Sequence, residues 1–296
     1  MAQRSREILP ETAAEKAVAA MLLELVSPKP GNVSRFQDLP ELGLDQFLAS
    51  IASLALPFHA IARHEVDVGE GVLVAVRRMS EAQAGGNTHL GAILLLAPMA
   101  AAASGTEWSS IRSTLGDVLS ELTPDDGRYL VEAISLVHPA LPLVAEYDVY
   151  GTPVEAFGEV DVLEWMSGGM TPREMENAIA REYVTGFEFT FERSHPFLRD
   201  ALGCAPLEDA IAHAFLWILA RQPDTLIIAR HGREVAERVT SRARRIMEAG
   251  GYLTERGRRM AADLNDDLVR EGINPGTSAD LVTAALYLEL LGGYRV

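Results

Sequence analysis

Asp280, Asp224 and His89 are the side chains whose types suit general acid–base work, and each stands in a stretch that could hold an anion. Gly85-Gly86-Asn87-Thr88-His89-Leu90-Gly91 runs from two glycines through three polar side chains into the apolar run Ala92-Ile93-Leu94-Leu95-Leu96-Ala97. It reads as a loop entering the first turn of a buried helix, where unpaired N–H groups and the positive end of the helix dipole attract anions. Asn274-Pro275-Gly276-Thr277-Ser278-Ala279-Asp280 repeats the form and can place a carboxylate beside metal-bound phosphates. Asp224-Thr225 with Arg230-His231-Gly232 makes a third polar patch, and an arginine can fork onto phosphate oxygens. Lys29 sits between Pro28 and Pro30, which bias the chain around it toward extended geometry. Helix capping accounts for many of the same residues, since Thr277 to Asp280 has capping-box spacing, so both readings stay open.

Helices must position these stretches. Periodicity predicts helices over residues 13–26, 44–63 with a kink at Pro57, 72–82, and from the Asn87 loop to about 103. Further helices are expected over 108–122, 127–138, 171–183, 207–221, 226–229, 232–249, 253–270 and 281–291. Gly69-Glu70-Gly71 reads as a break, residues 146–153 as turn-rich with a short helix at 154–157, and 186–192 as an isolated extended segment. No repeat and no long linker interrupts the pattern, so the expectation is an all-α, bundle-like single domain over residues 1–296.

Composition agrees, with 48% hydrophobic and only 6% aromatic residues. A net charge of -16 disfavours nucleic acid and anionic membrane surfaces as partners. One cysteine, Cys204, allows no intramolecular disulfide and no multi-cysteine zinc site. No P-loop, nucleophile elbow or H-E-x-x-H motif occurs. With no signal-peptide pattern, a cytoplasmic location is expected, and an oligomer is compatible with the sequence.

In order, Pro28-Lys29-Pro30-Gly31-Asn32-Val33, Gly86-Asn87-Thr88-His89-x-Gly91, Arg181-Glu182 with Gly186-Phe187, Asp224-Thr225 with Arg230 and Gly232, and Pro275-Gly276-x-Ser278-Ala279-Asp280-Leu281 resemble the triphosphoribosyl-dephospho-CoA synthase family. The resemblance covers about residues 12–291. It implies an all-helical fold and a transferase that joins ATP to 3'-dephospho-CoA, releases adenine and keeps the triphosphate. Leu90, Ser34, Leu226 and Thr277 depart from the family pattern, and the sequence looks more like the archaeal and methylotroph branch associated with methanofuran and tetrahydromethanopterin pathways.

Carried over residue by residue, the resemblance implies Asp280 or Asp224 as base or sugar-cation stabiliser, with His89 as donor to departing adenine. It implies a nucleotide site from Lys29, Gly31, Asn32, Gly86, Asn87, Thr88, Arg181, Arg230, Gly276 and Ser278. Mg²⁺ would travel with ATP, held by Asp224, Asp280 or Glu182. Two alternatives stay open: another ATP-dependent transferase or ligase using a different hydroxyl acceptor in one-carbon cofactor assembly, and a non-catalytic nucleotide-binding protein.

Overall fold

The computed structural model describes residues 8–40, 42–83, 87–137 and 161–296. The chain is all-α, with no β-strand among the described residues beyond two isolated bridges, Ser34 to Gln37 and Leu39 to Leu42. Gly85, Gly86 and the expectations for residues 138–160 lie outside the described residues.

Two apolar helices form the centre. In α5 (Leu90–Ala103) every residue is buried, and in α15 (Gly276–Leu291) all but three are. A helix apolar all round must be enclosed on every side. Around α5 pack α1 (Pro10–Val26), α3 (Ala55–Ala62), α4 (Val68–Glu81), α6 (Ile111–Ser120), α9 (Ala178–Thr185) and α15 itself. Around α15 pack α1, α5, α9, α10 (His195–Leu202), α11 (Leu207–Arg221) and α12 (Thr225–His231). The remaining described helices are α2 (Leu44–Ser53), α7 (Pro124–Leu136), α8 (Val162–Ser167), α13 (Arg233–Glu248) and α14 (Glu255–Glu271).

Pro98 lies inside α5 and leaves the carbonyl of Leu94 without its helical N–H donor. The buried Tyr183 hydroxyl of α9 supplies a donor instead, at 2.7 Å. A proline is thereby tolerated in the most enclosed helix of the molecule.

Several local expectations are corrected. The kink near Pro57 falls at Leu54, between α2 and α3, and Pro57 lies within the first turn of α3, where a proline costs no hydrogen bond. Gly69-Glu70-Gly71 is helix, not a break. The glycines are there for room: a Cβ on Gly69 would come within 2.5 Å of the Asp126 backbone, and one on Gly71 within 2.3 Å of Ile61. Asp126 of α7 fills that contact, accepting from the Gly69 N–H at 2.7 Å, so one carboxylate fixes α4 to α7. Residues 171–177 form turns, and α9 starts only at Ala178, because Asn177 Oδ1 accepts from the N–H groups of Ile179 and Ala180.

The extended segment expected at 186–192 is helical. Gly186 and Phe187 turn the chain with φ 62° and 58°, and a π-helical turn over Thr190–Ser194 leads into α10. The alternating pattern misleads because the buried Glu182 carboxylate caps the new helix, accepting from the N–H of Phe189 at 3.1 Å and of Thr190 at 2.9 Å.

The glycines give a direct test. Gly69→Ala should cost on the order of 1–3 kcal/mol through overpacking, as there is backbone rather than flexible side chain to displace. Gly116→Ala in α6, where a Cβ meets nothing within 4 Å, should stabilise by about 0.4–1 kcal/mol. Urea unfolding midpoints measure both, and equal shifts would contradict the close α4–α7 approach.

Candidate active site

The first turns of the two central helices open into one small cavity. Leu90, Gly91 and Ala92 of α5 face it, as do Gly276, Thr277 and Asp280 of α15, with Asn87, Thr88 and His89 on the entering loop. Asn87 Oδ1 accepts from the Leu90 N–H at 3.0 Å, and the Thr88 hydroxyl donates to Ser50 Oγ at 2.8 Å. These bonds explain how a loop of small polar residues holds one shape.

Asp280 joins the two helices. Its carboxylate, half-buried in the cavity wall, accepts from the Ala92 N–H and lies against Gly91, where an added Cβ would fall 2.0 Å from Oδ2. Burial, then the charges of Glu24 and Asp224, push its pKa well above the usual carboxylate range. Glu24 of α1 also lines the cavity, and burial raises its pKa too. His89 is buried, with its ring 4.8 Å edge-on from Phe47 and Nε2 at 3.4 Å from the Phe47 carbonyl. Burial lowers its pKa to about 4, so the imidazole is neutral at pH 7. His89 therefore meets the expected role of donor to departing adenine only as a neutral imidazole, through a ring N–H.

Of the residues singled out by sequence, the cavity gathers Asn32, Asn87, Thr88, His89, Gly276 and Asp280. Lys29 is displaced from its expected role. Its ammonium is buried, 3.0 Å from Glu24 Oε1, and donates to the carbonyls of Glu24 at 2.6 Å, Ser27 at 3.1 Å and Val33 at 3.4 Å. No proton is left for a phosphate, and its task is to balance Glu24. Gly31 is structural: φ is 75° and a Cβ would meet the Ile273 carbonyl at 2.8 Å.

Asp224 is also spent internally. Oδ1 accepts from the N–H groups of Leu226 and Ile227 at the start of α12, while Oδ2 accepts from Ser278 N at 2.7 Å and Ser278 Oγ at 2.8 Å. One carboxylate therefore caps α12 and ties down α15, so neither Asp224 nor Ser278 is free for a ligand or metal. Glu182 caps the turn before α10, as described, which removes it from the expected metal set. Arg230 is exposed at the end of α12, and Arg181 faces another cleft.

Sequence reasoning missed Glu24, Asn274 and the cavity-lining role of Thr277. Asn274 Oδ1 accepts from Asn32 Nδ2 at 3.0 Å and so joins the proline-flanked arm to the α15 loop. A signal for Glu24 existed: it is the lone charge in Met21-Leu22-Leu23-Glu24-Leu25-Val26, five residues before Lys29. A carboxylate in an apolar run needs a partner or a function.

Comparison with known proteins gives this geometry a context. Residues 10–296 match the CitG family, ATP:dephospho-CoA triphosphoribosyl transferase. The chain belongs to the CitG family. A Pseudomonas aeruginosa relative (strain UCBPP-PA14) named "Probable 2-(5''-triphosphoribosyl)-3'-dephosphocoenzyme-A synthase" is 32% identical over 310 residues, covering 98% of this chain and 94% of the relative. A Stutzerimonas stutzeri relative of the same name is 29% identical over 296 residues, covering 95% and 92%. A crystal structure from Archaeoglobus fulgidus, assigned provisionally as a triphosphoribosyl-dephospho-CoA synthase, is similar with a TM-score of 0.64 and 30% identity, over 84% of this chain and 100% of that one. Within this CitG family chain, the cavity between α5 and α15 brings together parts of three of the motifs that carry the resemblance.

Two measurements follow. Asp224→Asn places an amide N–H₂ against either the Ser278 N–H or the α12 N–H groups. It should destabilise by about 1–3 kcal/mol and speed amide exchange at Ser278, read by urea unfolding and hydrogen exchange. Full stability with lost turnover would return Asp224 to a catalytic role. For His89, the folded pKa lies below the unfolded one, so the unfolded chain binds the proton first as pH falls. Its contribution is constant above pH 6.5 and is lost between 6.5 and about 4, on the order of 3 kcal/mol. The buried carboxylates with raised pKa act in the opposite sense, so the comparison must be with His89→Gln, whose unfolding free energy should lack that acid-side loss.

Proposed function

We propose that this chain transfers the triphosphoribosyl group of ATP to a hydroxyl of 3'-dephospho-CoA, with Asp280 as the base. The observation that carries the reading is a carboxylate of raised pKa facing a cavity entered by two helix N-termini. A carboxylate held above its usual range is a stronger base, and it is the group needed to take a proton from an attacking hydroxyl. The bond from the anomeric carbon to adenine breaks, the bond to the acceptor oxygen forms, and adenine leaves with one proton as the hydroxyl loses one. The sugar passes through a transition state of oxocarbenium character, which a neighbouring carboxylate stabilises.

Charge argues for magnesium. Among the described residues the cavity is lined by two carboxylates, Asp280 and Glu24, the latter balanced from behind by Lys29, and by no lysine or arginine. Such a wall offers a bare triphosphate no cation of its own. Asp280 and Glu24, with the amide oxygens of Asn32 and Asn274, are hard oxygen donors of the sort Mg²⁺ takes, and Mg²⁺ commonly uses one or two carboxylates together with substrate phosphates. When bound, the ion would supply the positive charge that the cavity lacks. First-turn N–H groups of α5 and α15 other than those of Leu90, Ala92 and Ser278, which are spent internally, and the side chains of Asn87, Thr88 and Thr277 would orient the phosphates.

One observation favours a second reading, in which the acceptor differs. Leu90, Leu226 and Thr277, three of the four departures from the family pattern, all line this cavity. The change is therefore concentrated where an acceptor would contact the enzyme, which supports a place in the branch tied to one-carbon cofactor assembly. Adenine release separates the two readings. Release from Mg-ATP that requires dephospho-CoA supports the first, and release that requires a tetrahydromethanopterin-type or methanofuran-type hydroxyl supports the second. Tight ATP binding with no product from either would leave a nucleotide-binding protein.

Asp280→Asn should lower kcat by about 10²–10⁴-fold with the fold intact. Unchanged turnover in that variant would remove Asp280 from the chemistry. Because Glu24 is the larger of the two charges that raise the Asp280 pKa, Glu24→Gln should move the acidic limb of the kcat/KM profile to lower pH. A limb that stays in place, in protein that still folds, would mean that another group sets it.

A further inference from the structure

A cleft of about 710 Å³ lies apart from the catalytic cavity and shares none of its lining residues. It runs between α9, the π-helical turn and the C-terminal end of α11. We propose that this cleft is a second ligand site, built for a nucleoside diphosphate or a closely similar phosphate-bearing aromatic molecule. The inference does not depend on the transfer chemistry proposed above.

Three observations carry it. The first is charge. In a chain of net charge -16, Arg173, Arg181, Arg193 and Arg221 converge on this one cleft, against the carboxylates of Glu182 and Glu188. Glu182 is turned inward, its oxygens taken by the N–H groups of Phe189 and Thr190. Glu188 remains as the exposed negative group.

The second is that these arginines form no ion pair. Several arginines elsewhere are matched to carboxylates, as in Arg35 with Glu208, Arg112 with Glu192 and Arg258 with Asp209, while exposed ones such as Arg199, Arg230 and Arg245 are not. None of the four cleft arginines lies within ion-pair distance of a carboxylate among the described residues. Arg181 is instead aimed by the Met175 carbonyl at 3.2 Å and by a short contact with Gln222 Oε1. Burial lowers its pKa, and the nearby charges of Glu182 and Glu188 offset part of that shift. Guanidinium groups are suited to phosphate because their planar fork matches two oxygens at once.

The third is an aromatic wall. Phe189 and Trp217 both line the cleft and stack on each other with ring centroids 6.0 Å apart. Phe197 backs Trp217 at 4.6 Å, and the Arg221 guanidinium lies 4.8 Å from the Trp217 ring. These rings give the cleft an apolar side against which a planar base can pack, while the arginines receive its phosphates. The volume falls within the range of about 300–1,000 Å³ typical of small-molecule sites.

The test is calorimetric titration of the full chain with ADP in magnesium-free buffer. Arg173 and Arg193 are both exposed, so the Arg173→Ala/Arg193→Ala double variant should fold as the parent does, checked by circular dichroism and thermal unfolding. It should bind ADP at least about tenfold more weakly, and Trp217→Leu should lose a similar factor through lost stacking. Pyrophosphate alone should bind about tenfold more weakly than ADP for the same reason. ADP should also quench tryptophan fluorescence in the parent and not in Trp217→Leu. Unchanged ADP affinity in the arginine variant overturns the proposal. So does an affinity lost in Asp280→Asn instead, which would place ADP in the catalytic cavity, and so does pyrophosphate binding as tightly as ADP, which would leave a bare anion site.

Discussion

Two helix N-termini brought together inside a protein core repel one another, since each carries the positive end of a dipole and a set of unpaired N–H groups. In this molecule the carboxylate of Asp280 stands between them. It belongs to the first turn of α15 and accepts a hydrogen bond from Ala92 in the first turn of α5. Burial nevertheless outweighs the favourable dipoles and the hydrogen bond, and the proton is held more tightly than in water. The contact is possible only because Gly91 has no side chain. Everything else in the cavity is arranged around that meeting point.

The buried charges around it divide into those that face the cavity and those that hold it in shape. Lys29, Asp224 and Ser278 have the residue types of ligand-binding groups, yet each is saturated by internal partners. Lys29 balances Glu24, and Asp224 ties α12 to α15. A buried pair of this kind is weak evidence for stability, because desolvation consumes much of the attraction. Its value is positional: Glu24 and Asp280 are kept in place by residues that never touch the cavity. Mutation of such a residue would mimic loss of a catalytic group while acting at a distance.

Much of this was legible in the sequence. The all-α fold followed from the apolar periodicity and the scarcity of aromatic residues. The stretches at 87–91 and 274–280 announced themselves by the order glycine or proline, then small polar groups, then an apolar run, and they do meet. What could not be read was the direction in which each side chain is spent. Asp224 and Asp280 look alike as first-turn or capping carboxylates, and only the packing of α12 against α15 makes one of them mortar. The segment at 186–192 alternated like a strand, and the deciding group was Glu182, outside the segment. Glu24 was hidden for a plainer reason: a single acid in an apolar helix carries no motif.

Pro98 and Tyr183 work as a ruler. The proline strands one carbonyl at a fixed height on α5, and a single hydroxyl on α9 answers it. Sliding α9 by one turn would leave that carbonyl unanswered in an apolar interior, at a cost of about 1–3 kcal/mol. The register of α9 along α5 is therefore indexed to one atom. Because the start of α9 is in turn bonded through Ala178 to Thr225 of α12, the indexing reaches three helices.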